Sequence, residues 1–195
     1  MRCLLLHKPF GVLTRFTDSG GRRTLKDLVN VPSVYPAGRL DQDSEGLLLL
    51  TDDGALQHRL SDPKFDHPKI YWVQVERVPS IESLAQLTAG VEIQGYRTKL
   101  AIVRLIEGEP TPLAPRDPPV RFRTNVPTAW LELTISEGKN RQVRHMTAAV
   151  GHPTLRLIRV AIGKLCLADL KPGQWRELTL EEHRQLEAES RGKRS

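Results

Sequence analysis

The sequence predicts an α+β fold built on a mixed or antiparallel sheet, and three observations support this class. Strand-like segments occur in runs with helices between them, rather than in strict βαβ alternation. The 195 residues suffice for one domain, or for two small halves that share a core. The composition, 39% hydrophobic and 27% charged with 14 glycines and 14 prolines, is that of a globular protein and excludes a disordered or collagen-like chain.

The strands are predicted from apolar residues that are continuous or that alternate along the chain. Residues 47–50 are all leucine, a run short enough for a strand that is buried on both faces. Residues 69–77 alternate instead, which places Tyr71, Val73 and Val75 together on one face. In chain order, the predicted strands are residues 3–6, 12–16, 47–50, 69–77, 100–106, 130–135 and 155–162.

The helices are predicted from the residues that cap them. Thr24 with Asp27, and Thr179 with Glu182, have the spacing of a capping box, in which side chains and backbone bind each other at a helix start. Gly90 follows another predicted helix, at a position where glycine commonly ends one. The predicted helices are residues 24–29, 54–60, 80–89 and 140–150, and a last one that begins near residue 179.

The net charge of +6 is concentrated in one stretch of the chain. Residues 110–164 hold nine basic and three acidic side chains, whereas the two kinds balance on either side of this stretch. Arginine outnumbers lysine 20 to 9 overall, which favours forked contacts to phosphate groups. This distribution predicts a surface that binds nucleic acid, and the alternative is a solvated basic face.

The first part of this basic stretch is predicted to be an irregular insert. Residues 110–127 hold six of the 14 prolines and show no apolar periodicity. The insert contains Arg116, Arg121 and Arg123, and we expect all three to contact the nucleic acid.

Other features exclude several classes of protein. No apolar run approaches the ~20 residues of a membrane-spanning helix, and the first ten residues do not resemble a signal peptide. Cys3 and Cys166 lie far apart, so we expect neither a disulfide framework nor a structural zinc site. The sequence also lacks the glycine-rich motifs of nucleotide-binding proteins and the motif of serine hydrolases. We therefore expect a cytoplasmic protein without a metal, a nucleotide cofactor or a membrane partner.

The densest acidic segment is DQDSEG at residues 41–46. It matches the first half of a calcium loop, but the leucines that follow leave no ligand at the ninth position. The alternative is that one carboxylate is catalytic, and three carboxylates this close would then require a buried arginine as partner. A further alternative is that all three acids cap turns or pair with surface arginines.

A second unusual segment is EGKNRQVR at residues 137–144. The first turn of the helix predicted there holds Arg141 and Arg144 and no acid, which opposes the preference for anions at a helix start. Arginines beside free backbone N–H groups can bind a phosphate or a carboxylate, so this segment is a candidate anion site. The alternative is a surface helix in which arginine serves only as a helix former.

Four segments together resemble the motifs of the RsuA-type pseudouridine synthase family. The most specific is GRLDQDSEGLLLLT at residues 38–51. The others are LHKPFG at 6–11, KIYWV at 69–73, and EGKNRQVRHM at 137–146 followed by Arg159. The resemblance implies the α+β pseudouridine synthase core, with its sheet in two halves and the active-site cleft between them. It also implies a cofactor-free isomerase that converts uridine to pseudouridine in RNA.

The resemblance also implies roles for individual residues. Asp41 would be the catalytic carboxylate, Tyr71 would stack on the target uracil and take part in proton transfer, and Arg144 would hold Asp41 ionised by an ion pair. Arg39 would lie at the mouth of the site. The remaining basic and amide side chains of the helix start would contact RNA, and they are Lys139, Asn140 and Arg141.

The chain begins within ten residues of its first motif, without the S4 module that many family members carry ahead of the catalytic part. Together with the insert at 110–127, this resembles the members that act on large-subunit ribosomal RNA. We therefore expect one catalytic domain over residues 1–189, a polar tail at 190–195, and a monomer that modifies 23S ribosomal RNA, as free RNA or in an assembly intermediate. The alternatives are a synthase for small-subunit or transfer RNA, a non-catalytic RNA-binding module, and a metal-dependent hydrolase built on the acids of residues 41–45.

Overall fold

The computed structural model describes residues 1–62, 67–121 and 125–191, and these fall into two compact units. Unit 1 comprises Met1–His67 and Arg159–Ser195, and unit 2 comprises Pro68–Ile158. Each unit contains both strands and helices, with helices between runs of strands. The predicted α+β class is confirmed.

Unit 1 is organised around its first strand. Strand β1 lies between β3 and β11 and is antiparallel to both, while β2 pairs with β3 and β10 with β9. The chain returns to this unit along β9, which begins in unit 2. The elements are β1 Cys3–Lys8, a 3-10 helix Leu25–Asp27, β2 Tyr35–Pro36, β3 Glu45–Thr51, α1 Gly54–Ser61, β9 Thr154–Ile162, β10 Leu165–Cys166, β11 Trp175–Glu177 and α4 Leu180–Arg191.

The leucine run of β3 is buried on both of its faces, as the sequence predicts. Leu47 and Leu49 belong to one apolar cluster, with Leu56 of α1, whereas Leu48 and Leu50 belong to a second one. β1 alternates between the same two clusters. A strand with core on both sides needs apolar residues at every position, and this explains why residues 47–50 do not alternate.

Unit 2 has β8 between β4 and β7, with both pairings antiparallel. Tyr71, Val73 and Val75 of β4 face the core, where Val143 and Met146 of α3 pack against the same cluster. The alternation predicted for β4 is therefore confirmed. The elements are β4 Lys69–Glu76, α2 Ile81–Ala89, β5 Glu92–Ile93, β6 Tyr96–Arg97, β7 Ile102–Ile106, β8 Thr128–Ile135, α3 Gln142–Ala149 and the first part of β9.

Two of the predicted elements are wrong in kind or in length. Residues 12–16 form no strand, and only Leu13 makes a single bridge, to Thr24. The polar Thr14 binds the backbone of Leu40 there instead of a strand partner. The capping box at Thr24 is present, but the helix that follows is a 3-10 helix of three residues and does not reach residue 29.

The start of α3 lies two residues later than predicted. Arg141 has a left-handed backbone conformation, with φ +49°, and an α-helix cannot include it. The capping box at Thr179 is confirmed, since its N–H donates to Glu182 and its hydroxyl accepts from the Glu182 N–H.

The predicted insert contains no helix or strand at residues 110–121 and 125–127. Arg123 lies outside the described residues. The predicted tail at 190–195 overlaps the last two residues of α4, and 192–195 are also outside the described part of the chain. Among the residues that the structure does describe, no helix combines the length and the apolar character needed to cross a bilayer.

Candidate active site

Asp41 lies in a tight turn of unit 1, immediately before β3, and its side chain is half-buried. The Ser44 N–H donates to the Asp41 carbonyl at 3.1 Å, which closes the turn. The segment that follows β1 holds the turn from one side. The Gly11 N–H donates to the Gln42 carbonyl at 2.8 Å, and the Thr14 hydroxyl donates to the Leu40 carbonyl at 2.6 Å. The backbone around Asp41 is therefore fixed on both sides of the carboxylate.

Lys8 lies beneath this turn and is fully buried at the end of β1. Its ammonium donates to the carbonyls of Val12 at 2.8 Å and Pro9 at 3.0 Å, and it lies 3.5 Å from the Gln42 carbonyl. Burial lowers the pKa of Lys8 to about 8 because it penalises the charged form, while nearby carboxylates, Asp41 among them, oppose the shift. No role for Lys8 was predicted from the sequence, although a lysine two residues after the apolar run of residues 3–6 is a signal of a buried charge.

Arg159 is the second buried cation of unit 1. Its Nε donates to the Leu47 carbonyl at 2.8 Å, and its backbone lies directly against Gly46. Its positive charge contributes to the low pKa of Lys8. Arg159 is therefore a buried arginine in the same unit as the acidic turn.

Ser44 and Glu45 are buried, while Asp43 is half-buried, and both acids act on the charge of Lys8. The turn thus combines three carboxylates with two buried positive charges within one unit. In this arrangement the carboxylates raise the pKa of Lys8 and so oppose part of the effect of its burial. No group of three or more histidine, cysteine, aspartate or glutamate side chains suited to hold a metal ion is found over residues 1–62, 67–121 and 125–191.

Tyr71 lies in unit 2, in the middle of β4 and opposite Leu133 of β8. Only 7% of its surface is exposed, and its ring belongs to the apolar core of the unit. The side chain is therefore held in one orientation by packing.

The loop before α3 is held by an amide and a carboxylate. The buried Gln142 side chain donates to Glu137 at 2.7 Å and accepts from the Lys139 N–H at 3.1 Å. Glu137 also accepts the Lys99 N–H at 2.9 Å. These bonds fix the backbone that leads into the left-handed Arg141, so that the exposed side chains of the loop start from a rigid base.

Arg144 lies in the first turn of α3 and is half-buried, between the buried Val143 and Met146 positions. The helix start has no acidic residue, as the sequence predicts, and it also has no side-chain cap. The hairpin of β5 and β6 flanks it. Gln94 of that hairpin lies 3.0 Å from the His145 ring, and the Lys139 ammonium lies 5.5 Å from the centre of the Tyr96 ring.

The other predicted site residues fall into two groups. In unit 1, Arg39 is exposed two residues before Asp41. In unit 2, the exposed residues 139–141 form one segment that leads into Arg144. Arg116 binds its own insert, since its guanidinium donates to the carbonyls of Pro118 at 2.7 Å and Pro119 at 2.9 Å. Arg121 is exposed and lines a cavity.

Comparison with known proteins identifies the class to which this protein belongs. A family model described as RNA pseudouridylate synthase matches residues 2–149, and the chain belongs to this family. The chain is 59% identical, over 175 residues, to the ribosomal large subunit pseudouridine synthase E of Xanthomonas campestris pv. campestris, and the match covers 89% of this chain and 93% of that protein.

Two further relatives agree with this assignment. The enzyme of the same name from Vibrio parahaemolyticus serotype O3:K6 is 52% identical, over 92% of this chain and 74% of its own. A crystal structure of a pseudouridylate synthase superposes with a TM-score of 0.79 at 30% identity, covering 95% of this chain and 73% of that one. The resemblance predicted from four motifs is confirmed, and with it the enzyme class, an isomerase that acts on RNA.

Proposed function

We propose that this protein isomerises a specific uridine to pseudouridine in large-subunit ribosomal RNA, with Asp41 as the catalytic carboxylate. This choice of substrate is supported by two relatives that are named ribosomal large subunit pseudouridine synthase E and are 59% and 52% identical to this chain. The catalytic role is supported by one observation above all. Asp41 stands on a turn that is fixed by backbone hydrogen bonds and lies over the buried charge of Lys8.

The reaction explains why these residue types are needed. The bond between C1′ of the ribose and N1 of uracil breaks, the detached uracil rotates, and a bond from C1′ to C5 replaces it. A carboxylate beside C1′ and C2′ can act on the sugar while the base turns. We propose that Tyr71 stacks on the uracil and takes part in proton transfer, and that Arg144 pairs with Asp41. The target nucleotide must leave the stacked bases of the RNA to reach these three side chains.

We further propose that the exposed basic residues bind the RNA backbone. Arg39 would contact RNA beside Asp41, and residues 139–141 would do so at the start of α3, where the rigid loop presents them. Arg121 and Arg123 of the insert would also contact the RNA backbone. Arg116 would act mainly as an internal support of the insert, because its guanidinium binds two carbonyls there.

We also propose that the protein is a cytoplasmic monomer and that its catalytic domain spans residues 1–189. Its substrate would be ribosomal RNA that is free or in an assembly intermediate, where single-stranded segments are accessible.

The role of Asp41 is tested by Asp41→Asn, with Asp169→Asn as the matched control. Both changes remove one carboxylate charge from unit 1, but Asp169 is exposed and far along the chain from the turn. We expect Asp41→Asn to abolish isomerisation and to leave RNA affinity within a few-fold, because affinity comes mainly from phosphate contacts. The control should retain full activity. Turnover of the Asp41 variant at a tenth of wild type would rule out an essential role.

The substrate is tested by mapping pseudouridines in total RNA from cells with and without the gene. The loss of one pseudouridine from large-subunit ribosomal RNA is the expected result. A loss confined to small-subunit or transfer RNA would contradict the proposed substrate while leaving the enzyme class intact.

A further inference from the structure

Residues 15–23 of unit 1 form a compact surface loop without helix or strand. Two backbone hydrogen bonds close the loop at its base. The Leu13 N–H donates to the Arg23 carbonyl at 2.9 Å, and the Leu25 N–H donates at the same distance to the carbonyl of Arg15. Compact loops whose ends meet in this way frequently carry function. The loop holds three arginines and one aspartate, so it has an excess of positive charge.

The loop adjoins the turn that carries Asp41. Thr14, the residue before the loop, donates through its hydroxyl to the Leu40 carbonyl at 2.6 Å and accepts from the Leu40 N–H at 3.3 Å. Phe16, the second residue of the loop, packs against the apolar cluster that contains Leu40. Arg15 and Asp41 each follow a partner of this contact in the chain, at the about 3.8 Å that separates neighbouring Cα atoms. The loop therefore starts beside the proposed catalytic turn.

Asp18 is the centre of the loop, and only 1% of its side chain is exposed. Its carboxylate accepts the backbone N–H groups of Gly20 at 3.1 Å and of Arg22 at 3.0 Å. The Arg22 guanidinium adds a forked contact, with Nε at 3.1 Å and Nη2 at 2.8 Å. Arg15 donates to the same carboxylate through its Nη2. The hydrogen bonds from Arg22 hold the pKa of Asp18 well below its ordinary value, so the carboxylate stays charged.

The two arginines that Asp18 holds keep donors for a further anion. About half of each side chain is exposed, 49% for Arg15 and 53% for Arg22. A guanidinium has five N–H groups, of which the bonds to Asp18 use one on Arg15 and two on Arg22. Two guanidinium groups on one carboxylate also leave one positive charge uncompensated. A phosphate group accepts forked contacts from arginine and would compensate that charge.

We propose that the loop of residues 15–23 binds the phosphate backbone of the substrate RNA, with Arg15 and Arg22 as the contacts and Asp18 as the residue that positions them. A nucleotide that reacts at Asp41 stays joined to its strand on both sides, so phosphates accompany it to this part of unit 1. That the bound RNA is the substrate rests on the proposed function, whereas the phosphate chemistry of the loop does not.

The phosphate contacts are tested by the double variant Arg15→Gln with Arg22→Gln, on the full-length protein and a labelled single-stranded oligouridylate. We expect the slope of log affinity against log salt to become shallower by ~1.4, from ~0.7 for each lost contact. The matched control is Arg104→Gln with Arg176→Gln. These two exposed arginines also pair with carboxylates, Glu132 at 2.8 Å and Glu182 at 2.7 Å, and their removal should leave the slope unchanged.

The positioning role of Asp18 is tested by Asp18→Ala, which keeps both arginines and removes a negative charge. Attraction by net charge alone would make this variant bind RNA more tightly. We expect the opposite, a several-fold weaker affinity, because the two arginines are no longer held together. With ribosomal RNA as substrate, the loss should fall on KM rather than on kcat. Asp169→Ala removes an exposed carboxylate of the same unit and should not weaken binding.

A slope for the Arg15 and Arg22 variant equal to that of its control would overturn the proposal, and the loop would then be held by ion pairs that have no part in binding. Binding by Asp18→Ala as tight as by Asp169→Ala would overturn the positioning role. A loss confined to kcat would contradict a contact that serves only to bind the strand. If the wild-type protein shows no isomerase activity, the proposed function fails, while the salt slopes, which require no turnover, still decide whether the loop binds RNA.

Discussion

Lys8 illustrates how a single buried charge makes stability depend on pH. Its pKa is lowered to about 8 in the folded protein, from an ordinary value near 10.5. Between these two values the unfolded chain binds the proton that the folded protein has released. Stability therefore rises with pH over this interval, and the contribution of Lys8 is constant below about pH 7, where both states are protonated.

We predict that wild type becomes more stable relative to Lys8→Met between pH 8 and pH 10, by about 2 kcal/mol. The measurement is the free energy of unfolding in urea at both values for the two proteins. Cys3, whose pKa burial raises to about 12, has the opposite effect above pH 9, but it is present in both proteins and cancels. Lys171→Met, which removes an exposed lysine from the same unit, should parallel wild type. Parallel profiles for Lys8→Met as well would show that the ammonium is hydrated.

The proposed pairing of Asp41 with Arg144 is a second prediction at the scale of the residue. Arg144→Ala removes the cation and strands a half-buried carboxylate, so we expect an inactive protein that is less stable by about 1–3 kcal/mol. Arg144→Lys keeps the charge without the fork and should retain partial activity. The double variant Asp41→Asn with Arg144→Met should regain stability but not activity, as measured by urea unfolding and an isomerisation assay. A double variant no more stable than Arg144→Ala would show that the two residues are not coupled.

At the scale of the element, β3 depends on a glycine at its second residue. Gly46 has φ +104°, and a Cβ atom there would lie 2.2 Å from the backbone oxygen of Arg159. Both the backbone conformation and the space exclude a side chain. The close approach also brings the Arg159 guanidinium to the Leu47 carbonyl. The glycine after the acidic turn therefore positions a buried cation as well as a strand.

We predict that Gly46→Ala lowers the free energy of unfolding by more than about 2 kcal/mol, because strain and overpacking add. Gly54→Ala is the matched control. Gly54 opens α1, and a Cβ atom there would meet no neighbour within 4 Å. Alanine at this position should leave stability unchanged or raise it by up to about 1 kcal/mol. Chemical unfolding of both variants checks the prediction, and a Gly46→Ala protein within about 0.5 kcal/mol of wild type would contradict it.

At the scale of the whole molecule, the concentration of positive charge in residues 110–164 predicts binding that is sensitive to salt. If Arg121 and Arg123 each contact a phosphate of single-stranded RNA, replacing both by glutamine should reduce the slope of log affinity against log salt by ~1.4, from ~0.7 for each contact. Replacement of Lys171 and Arg184, which lie outside this stretch, removes the same charge and should leave the slope unchanged. The slope is measured from RNA-binding isotherms at several salt concentrations. Equal slopes for the two double variants would place the phosphate contacts elsewhere.

The fold was predictable wherever burial imposes a clear pattern on the sequence. The leucines of residues 47–50, the alternation of β4 and the capping box at Thr179 each gave the right element, because each is a local consequence of burial or of capping. The strand predicted over residues 12–16 is absent because the Thr14 hydroxyl binds the carbonyl of Leu40. Apolar periodicity does not reveal such a contact between segments that are distant in the sequence. α3 starts late because Arg141 adopts a left-handed conformation that its residue type does not suggest.

The sequence by itself determined the family, the α+β class and the position of the acidic turn in the chain. Four motifs in a fixed order and a concentration of arginine are properties of the sequence alone. The tertiary structure decided which charges are buried. Lys8 and Arg159 are 151 residues apart along the chain, and only the folding of unit 1 brings both of them close to the turn of Asp41. It also showed that Arg116 binds carbonyls of its own insert. Burial and the close approach of distant segments are determined by packing, which no local pattern of residues records.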